Sequence, residues 1–379
     1  MRVTVLVAAH NEEESIRATL ESALHQTCPA DRVVLAADNC TDRTEEIARS
    51  IPGVEVFATV DNTHKKSGAL NQGWHRTRGD TDLYVTIDAD TILPPNAIAD
   101  WTAEFEDPQV AGVSAKFTMM TPDEVRALAE SGHVPTAPRD QKPIGFRARC
   151  WVRVQKFEFS RWTDTALRRK NRWTSVLAGT ACAIRASALE EVVEHEGWTE
   201  GPWTYESAVE DFYLTYCLRR MGYQCRVSAD VRAYTGAMLS LKTLWRQRLK
   251  WQVGTAQDLK KIGLNRQTLI DWYQQGLGLL AAWMRILWVL LIAFDAVAFH
   301  HIYLFRFWWV FPALFVVLDL RDALRIPHRT KADVIMAALL LPQEIYAWIR
   351  AAWFTWSWAQ VLTGRNPDLW AAQIAAERG

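Results

Sequence analysis

Residues 3–87 alternate between short β-branched apolar runs and segments of helical periodicity, which leaves few architectures open to the chain. Residues 3–9, 32–37, 54–60 and 82–87 have the length and composition of buried parallel strands, which read as continuous apolar runs because both of their faces are covered. Between them, residues 12–26 carry Ile16, Leu20 and Leu24 at helical spacing, and residues 41–50 and 67–76 form two further helical segments. Strand and helix in strict alternation predict an α/β fold, a mostly parallel sheet with helices on both faces.

Open sheets of this kind bind ligands beyond the carboxyl ends of their strands. The residues just past the strands therefore form a functional shortlist: His10-Asn11-Glu12, Asp38 and Asp88-Ala89-Asp90. Any one of them also fits an ordinary turn or helix cap, because Asp and Asn favour both. Three successive strand ends with polar or acidic groups are more than turn chemistry requires.

Asp88 and Asp90 stand one residue apart at the end of an apolar strand, an arrangement that suits Mn²⁺ or Mg²⁺. Such cations take oxygen ligands and are commonly shared between one or two carboxylates and substrate phosphates. Asp211 is the candidate general base. It follows Glu210 and opens the helical-looking residues 212–222, where the helix dipole favours an ionised carboxylate. Residues 245–251, WRQRLKW, combine cations able to hold a diphosphate with indoles that offer a platform for a sugar ring. A basic helix at a membrane interface has the same composition.

Other stretches bound the remaining possibilities. Lys and Arg total 43 and Asp and Glu total 43, so no global field attracts nucleic acid. The six cysteines lack metal-ligand spacing and read as free thiols of a reducing compartment. Residues 1–9 run directly into His10-Asn11-Glu12-Glu13-Glu14 without a basic region or cleavage site, and read as a strand, not a secretory signal. Residues 119–147 carry Pro122, Pro135, Pro138 and Pro143 and read as an irregular surface excursion. Residues 148–173, basic and aromatic, are expected to form a helix, either near the membrane or the acceptor or, as the preferred reading, with a solvated face.

From about Gly276 the chain becomes rich in Trp, Leu, Phe and Ala. Residues 276–299 are long enough to span a bilayer but contain Arg285 and Asp295; residues 302–318 are marginal and contain Arg306. Each mid-span charge costs about 2.5–3.5 kcal/mol. A hairpin turning at His300-His301 would set Asp295 opposite Arg306 and offset that cost. Arg321, Arg325, Arg329 and Lys331 make residues 319–333 an expected cytoplasmic loop, which puts the α/β domain on the cytoplasmic face. Residues 334–354 fit an interfacial helix or a third span. A wholly soluble helical bundle is the alternative for this region.

The order of AADNCTD with Asp38, Lys66-Ser67-Gly68-Ala69-Leu70-Asn71, Asp88-Ala89-Asp90, Glu210-Asp211 and Gln247-Arg248-Leu249-Lys250-Trp251 resembles the family 2 glycosyltransferases over roughly residues 1–260. The likeness is nearest to the membrane-bound branch that includes cellulose, chitin and hyaluronan synthases. It implies a GT-A-type, Rossmann-like catalytic domain and inverting, metal-dependent transfer of a sugar from a nucleotide-diphospho-sugar, UDP in preference to GDP. The acceptor would be a hydroxyl of a polysaccharide, lipid or protein. By the same resemblance, His10 and Glu12 contact the nucleotide, Asp38 binds its base, and Lys66 reaches the diphosphate. Asp88 and Asp90 match the metal and donor motif, Asp211 the base beside Glu210, and Gln247, Lys250 and Trp251 the Gln-x-x-Arg-Trp motif. Residues 179–185 look like the family's Gly-Thr stretch near the acceptor.

The chain departs from the pattern at Ala37, which replaces an Asp, at Val209, which replaces a Thr, and at Lys250, which replaces an Arg. Lysine keeps the charge but loses the planar fork that grips phosphate bidentately; donor binding is expected, and the departures leave processive and single addition both open. The expected organisation is a catalytic domain over 1–240, an amphipathic interfacial region over 241–275 and membrane-associated helices over 276–379, with a hairpin at 276–318 and a third helix at 334–354. The competing reading is a catalytically silent membrane-bound scaffold that retains the fold. A nucleotidyltransferase is disfavoured, because a Gly-rich phosphate loop is missing and a separate Glu-Asp base is present.

Overall fold

The computed structural model describes residues 1–138, 143–300 and 310–364. It divides into two compact units, one of Met1–Val152 with Trp162–Ala237 and the other of Arg153–Arg161 with Met238–Gly379.

The first unit is built from β1 (Val3–Ala9), α1 (Ile16–Leu24), β2 (Arg32–Ala37), α2 (Thr44–Arg49), β3 (Val54–Ala58), α3 (Lys65–Thr77), β4 (Leu83–Asp88), α4 (Ala97–Glu104), β5 (Val110–Met119), α5 (Pro122–Glu130), both ends of α6 (Phe146–Arg168), β6 (Ala181–Arg185), α7 (Ala186–Glu196), α8 (Glu210–Arg220) and β7 (Gln224–Thr235). The strands form a seven-stranded sheet, ordered β3-β2-β1-β4-β6-β5-β7. The first four strands pair in parallel, β6 runs antiparallel between β4 and β5, and β5 pairs in parallel with β7. This is the expected mostly parallel α/β sheet.

Register matters more here than order. Ala9 sits opposite Ala37 and Ala8 opposite Asp88, so the carboxyl ends of β2, β1 and β4 are level. All three shortlisted segments thus emerge from one sheet edge, as the position of ligands in such folds requires. The strands are fixed there by a dry core in which Val5, Leu6, Val7, Leu35 and Val85 are fully buried. Helix α3 approaches β1 closely at Gly73, where an added Cβ would lie 2.4 Å from Leu6 Cδ1.

Two stretches differ from expectation. The proline-bearing segment after β5 contains α5, capped by a reciprocal pair: Thr121 Oγ1 accepts from the Glu124 N–H, and the Glu124 carboxylate accepts from the Thr121 N–H. Pro122 occupies the first turn, where its missing N–H costs nothing, so it starts a helix where it had suggested irregularity. The expected solvated face of residues 148–173 is instead packed within α6, where Val152, Gln155 and Phe157 are at most 1% exposed.

The second unit holds residues 153–161 of α6 together with α9 (Leu241–Ile262), α10 (Leu269–Ala298), α11 (Val310–Arg325), α12 (Lys331–Ala338) and α13 (Leu340–Thr363). The expected interfacial region 241–275 is interrupted between α9 and α10. Leu249, Val253 and Ala256 of α9 pack on Trp358 and Val361 of α13, so this apolar stripe is covered by protein. Helix α10 begins before the expected span and is 30 residues long; its most apolar window has a mean hydropathy of 2.2 and is 6% buried. Helix α11 continues through Asp319 and Asp322, where a loop was expected, because Arg161 of α6 pairs with both carboxylates, at 2.8 Å to Asp322. The single helix expected over 334–354 is two, bent by 78° where Leu339 takes extended dihedrals. Arg306, the expected partner of Asp295, lies outside the described residues.

Replacing Gly73 with Ala should overpack the junction of α3 and β1, at a cost of about 1–3 kcal/mol. A lowered midpoint of urea unfolding, followed by tryptophan fluorescence, would show this.

Candidate active site

The site is assembled at the level strand ends of the first unit. After β1, His10 Nδ1 lies 2.6 Å from the Asp38 carbonyl oxygen. Asn11, in the left-handed region with φ +57°, accepts through Oδ1 from the Thr41 N–H at 2.7 Å. Glu12 donates its N–H to Thr44 Oγ1 at 2.7 Å, and its carboxylate accepts from Ser15 Oγ at 2.8 Å. These bonds tie the end of β1 to the loop after β2.

Asp38 is 5% exposed, and its Oδ1 accepts from three side chains: Asn39 at 2.9 Å, Thr59 at 3.0 Å and Asn62 at 2.7 Å. Asn62 also donates to the Lys65 carbonyl at 2.7 Å, linking Asp38 to the start of α3. That approach requires Gly68, since a Cβ there would lie 1.9 Å from Asn62 Oδ1. The glycine of the Lys-Ser-Gly run is thereby explained by packing.

Lys66 stands at the centre. Its ammonium pairs with Asp88 and donates to the Gly179 carbonyl at 3.0 Å. The Gly179 N–H donates to Asp211 Oδ2 at 3.1 Å, and the Asp88 N–H to the Thr180 carbonyl at 3.0 Å. The Gly179-Thr180 turn is therefore held between the end of β4 and the start of α8. Burial disfavours the Lys66 cation, but Asp88, Glu210 and Asp211 outweigh it and raise its pKa.

Asp211 lies in the first turn of α8, where Oδ1 accepts from the Phe212 N–H at 2.8 Å. Its backbone carbonyl accepts from Thr215 Oγ1 at 2.6 Å, and Thr215 in turn accepts from the Leu177 N–H at 2.8 Å. Burial raises the Asp211 carboxyl pKa, working against the Gly179 and Phe212 N–H groups and the Lys66 charge. Glu210 beside it is 7% exposed.

Asp90 follows a turn closed by the Thr91 N–H to the Asp88 carbonyl at 3.1 Å and by Thr19 Oγ1 to the Ala89 carbonyl at 2.8 Å. An isolated bridge between Ile92 and Tyr234 brings Thr235 alongside, and Thr235 Oγ1 donates to Asp90 Oδ1 at 3.1 Å. Burial and the charge of Asp88 push the Asp90 carboxyl pKa up to about 6. A cavity of about 380 Å³ adjoins Asp90, lined also by Asn11, Glu12, Asp42 and Thr235. Gly236 leaves the approach to Asp90 Oδ2 bare, since a Cβ there would stand 3.0 Å from that oxygen. Among the described residues no group of three or more His, Cys, Asp or Glu side chains is arranged to hold a metal; Asp88 and Asp90 are oxygen donors of the kind Mn²⁺ and Mg²⁺ take.

His10, Asp38, Lys66, Asp88, Asp90, Glu210 and Asp211 thus all occupy the first unit. The sequence reading missed Asn62, Thr59 and Thr235; of these, Thr235 had the signal of standing just before a glycine, Gly236. Gln247, Lys250 and Trp251 belong to α9 in the second unit. There Arg248, not Lys250, makes the forked ion pair: its Nε and Nη2 donate to Glu158 Oε2 at 3.1 and 2.9 Å. Its guanidinium lies 4.5 Å from the Trp251 ring and 5.0 Å from that of Phe159, and Tyr346 Oη donates to the same Glu158 oxygen at 2.8 Å. Lys250 is 5% exposed.

Truncating Arg248 to Ala would take from the Glu158 carboxylate its hydrogen-bonded cation and leave it only the more remote charge of Arg350. The expected loss is about 3–5 kcal/mol, with most of it recovered in the double variant Glu158→Leu/Arg248→Met, as buried pairs behave. Chemical unfolding of the three proteins measures this.

Comparisons with known proteins identify the family and the fold. A family model described as Glycosyl transferase family 2 matches residues 4–193, and one described as Glycosyl transferase family group 2 matches residues 118–320. The chain is 27% identical over 264 residues to Probable glycosyltransferase YdaM of Bacillus subtilis, covering 67% of this chain and 55% of that protein. It is 23% identical over 257 residues to poly-beta-1,6-N-acetyl-D-glucosamine synthase of Staphylococcus aureus, covering 66% and 54%. The chain therefore spans about half the length of the curated relatives it matches. Among solved structures, the mannosyltransferase PcManGT of Pyrobaculum calidifontis, in complex with GDP-Man and Mn²⁺, superposes with a TM-score of 0.58 at 18% identity. The match covers 96% of this chain and 88% of that one, a likeness of fold.

Proposed function

The chain belongs to glycosyl transferase family 2, and from that premise we propose that it is an inverting glycosyltransferase whose base is Asp211. The carrying observation is the partly buried Asp211 carboxylate, aimed by the Gly179 and Phe212 N–H groups at the same corner as Lys66 and Asp88. In a single displacement, Asp211 takes the proton of an acceptor hydroxyl as that oxygen bonds to the anomeric carbon. The bond from that carbon to the diphosphate oxygen breaks, and its electron pair leaves with the nucleoside diphosphate.

The donor's base is assigned to the end of β2, where Asp38 is already held by three donors and so presents a fixed acceptor edge. Lys66 is assigned to the diphosphate side. The donor itself is proposed to be a UDP-sugar, by family resemblance. Glu12, Glu13, Glu14, Asp42 and Asp90 line the adjoining cavity, a field that opposes an approaching diphosphate. Asp88 and Asp90 would hold Mn²⁺ or Mg²⁺, which when bound supplies positive charge to the departing diphosphate. The Mn²⁺ in the PcManGT complex supports this choice.

A polysaccharide acceptor is favoured by the name of the Staphylococcus aureus relative. Membrane attachment is supported by α10, whose Leu287, Trp288, Leu291 and Phe294 are all exposed. A cytoplasmic face for the catalytic unit is proposed from the basic residues at the end of α11 and the start of α12, Arg321, Arg325, Arg329 and Lys331. Gln247, Lys250 and Trp251 are assigned to donor binding by family resemblance.

Nucleotide-sugar donors supplied with an acceptor extract and Mn²⁺ or Mg²⁺ should give nucleoside diphosphate release. Asp90→Ala and Asp211→Asn should each lower the rate by about 10²–10⁴-fold, the usual worth of such groups. The base must be ionised, and burial raises its pKa. The rate should therefore fall as pH drops through a value above the ordinary carboxylate range of about 4, with a plateau above it. Equal rates in the wild type and both variants would exclude the mechanism. No release from any donor by folded protein would point to a catalytically silent scaffold.

A further inference from the structure

Asn71, the last residue of the Lys-Ser-Gly-Ala-Leu-Asn run, makes no contact with the carboxylates, yet it is 1% exposed. Its side chain bonds both backbone groups of one residue, the N–H and the carbonyl of Trp203. Nδ2 donates to the Trp203 carbonyl at 2.7 Å, and Oδ1 accepts from the Trp203 N–H at 3.0 Å. Trp203 is 3% exposed, so these two backbone groups are cut off from water and depend on that one amide. Asparagine presents a donor and an acceptor together, whereas an ionised aspartate presents acceptors only.

The segment gripped in this way is the one that leads into Glu210-Asp211. It passes so close to the amide that a Cβ at Gly201, where φ is +124°, would lie 2.5 Å from Asn71 Oδ1. A second tie joins the same segment to the start of α3: the rings of His64 and Tyr205 stack with centroids 3.8 Å apart and planes within 2°. At the other end of the run, Lys66 holds the Gly179 carbonyl while the Gly179 N–H holds Asp211 Oδ2. One helix therefore fixes both backbone segments that set the direction of the Asp211 carboxylate.

We propose that Asn71 is a positioning residue for the sugar-transfer step, acting through the Trp203 peptide to hold Asp211 in register with the acceptor hydroxyl. The inference rests on Asp211 as the base. Gly201 belongs to the same device, since its bare Cα is what admits the amide. The role is separate from donor binding, so it should appear in kcat and not in donor KM.

The test uses the full chain in detergent, with steady-state transfer from the active donor. Asn71→Ala, Asn71→Asp and Gly201→Ala should each lower kcat by about 10–100-fold, the scale of a misplacement near 1 Å, with donor KM within about threefold of wild type. Nucleoside diphosphate affinity, measured by calorimetry, should stay unchanged and reports that the fold is intact. In the Asp211→Asn background, Asn71→Ala should cost nothing further, because its effect passes through the missing base.

An unchanged kcat in Asn71→Ala would overturn the inference, as would a loss that multiplies onto that of Asp211→Asn. Loss of nucleotide affinity in all three variants would also overturn it, reducing Asn71 to a structural residue. If Asp211→Asn keeps the wild-type rate, the base assignment fails and takes the role of Asn71 with it. If Asp211→Asn is inactive while Asn71→Ala is fully active, only the role of Asn71 fails.

Discussion

The ammonium of Lys66 is what allows Asp88, Glu210 and Asp211 to gather in one corner of the fold. Carboxylates gathered this way repel one another, and a cation among them offsets that repulsion. Lys66 pairs with Asp88 and holds the Gly179 carbonyl, and its raised pKa reflects the acids around it. For that side chain to reach the corner, α3 must start beside the ends of β2 and β4 and lie tightly on β1. Gly68 and Gly73 permit this, the first by admitting Asn62 and the second by admitting Leu6. Site and packing are thus one constraint on the same helix.

The carboxyl ends of β1, β2 and β4 supply the other half of the arrangement. Their register puts Asp38, Asp88 and the turn to Asp90 on one edge, and side-chain bonds from Thr59, Asn62, Thr19 and Thr235 hold those groups still. Rigid acceptors of this kind lose little freedom when a ligand arrives, which favours binding.

How far the sequence could be read depended on how local each signal was. The strands and helices from Val3 to Asp88 were legible because β1, β2 and β4 are buried apolar runs and each helix shows its own period. The antiparallel insertion of β6 and the pairing of β5 with β7 were not, since they depend on contacts distant in the chain. Pro122 misled because a proline reads as a break, although at the first turn it begins α5. The solvated face expected for α6 failed for a similar reason. Arg153, Lys156 and Arg161 look like surface charges, but in the second unit they meet Asp333, Asp319 and Asp322. The carboxylates of the site were visible as motifs, whereas the pairing of Arg248 with Glu158 was not, because the two lie 90 residues apart.

The central claim is that the edge bearing Asp88 and Asp90 is a cation-dependent diphosphate site. Equilibrium binding of UDP and GDP to the full chain, titrated in Mn²⁺ and again in EDTA, tests it most directly. The account predicts saturable binding in Mn²⁺ that is lost in EDTA and lost in Asp90→Ala. Equal affinity in EDTA and in Mn²⁺ would contradict it.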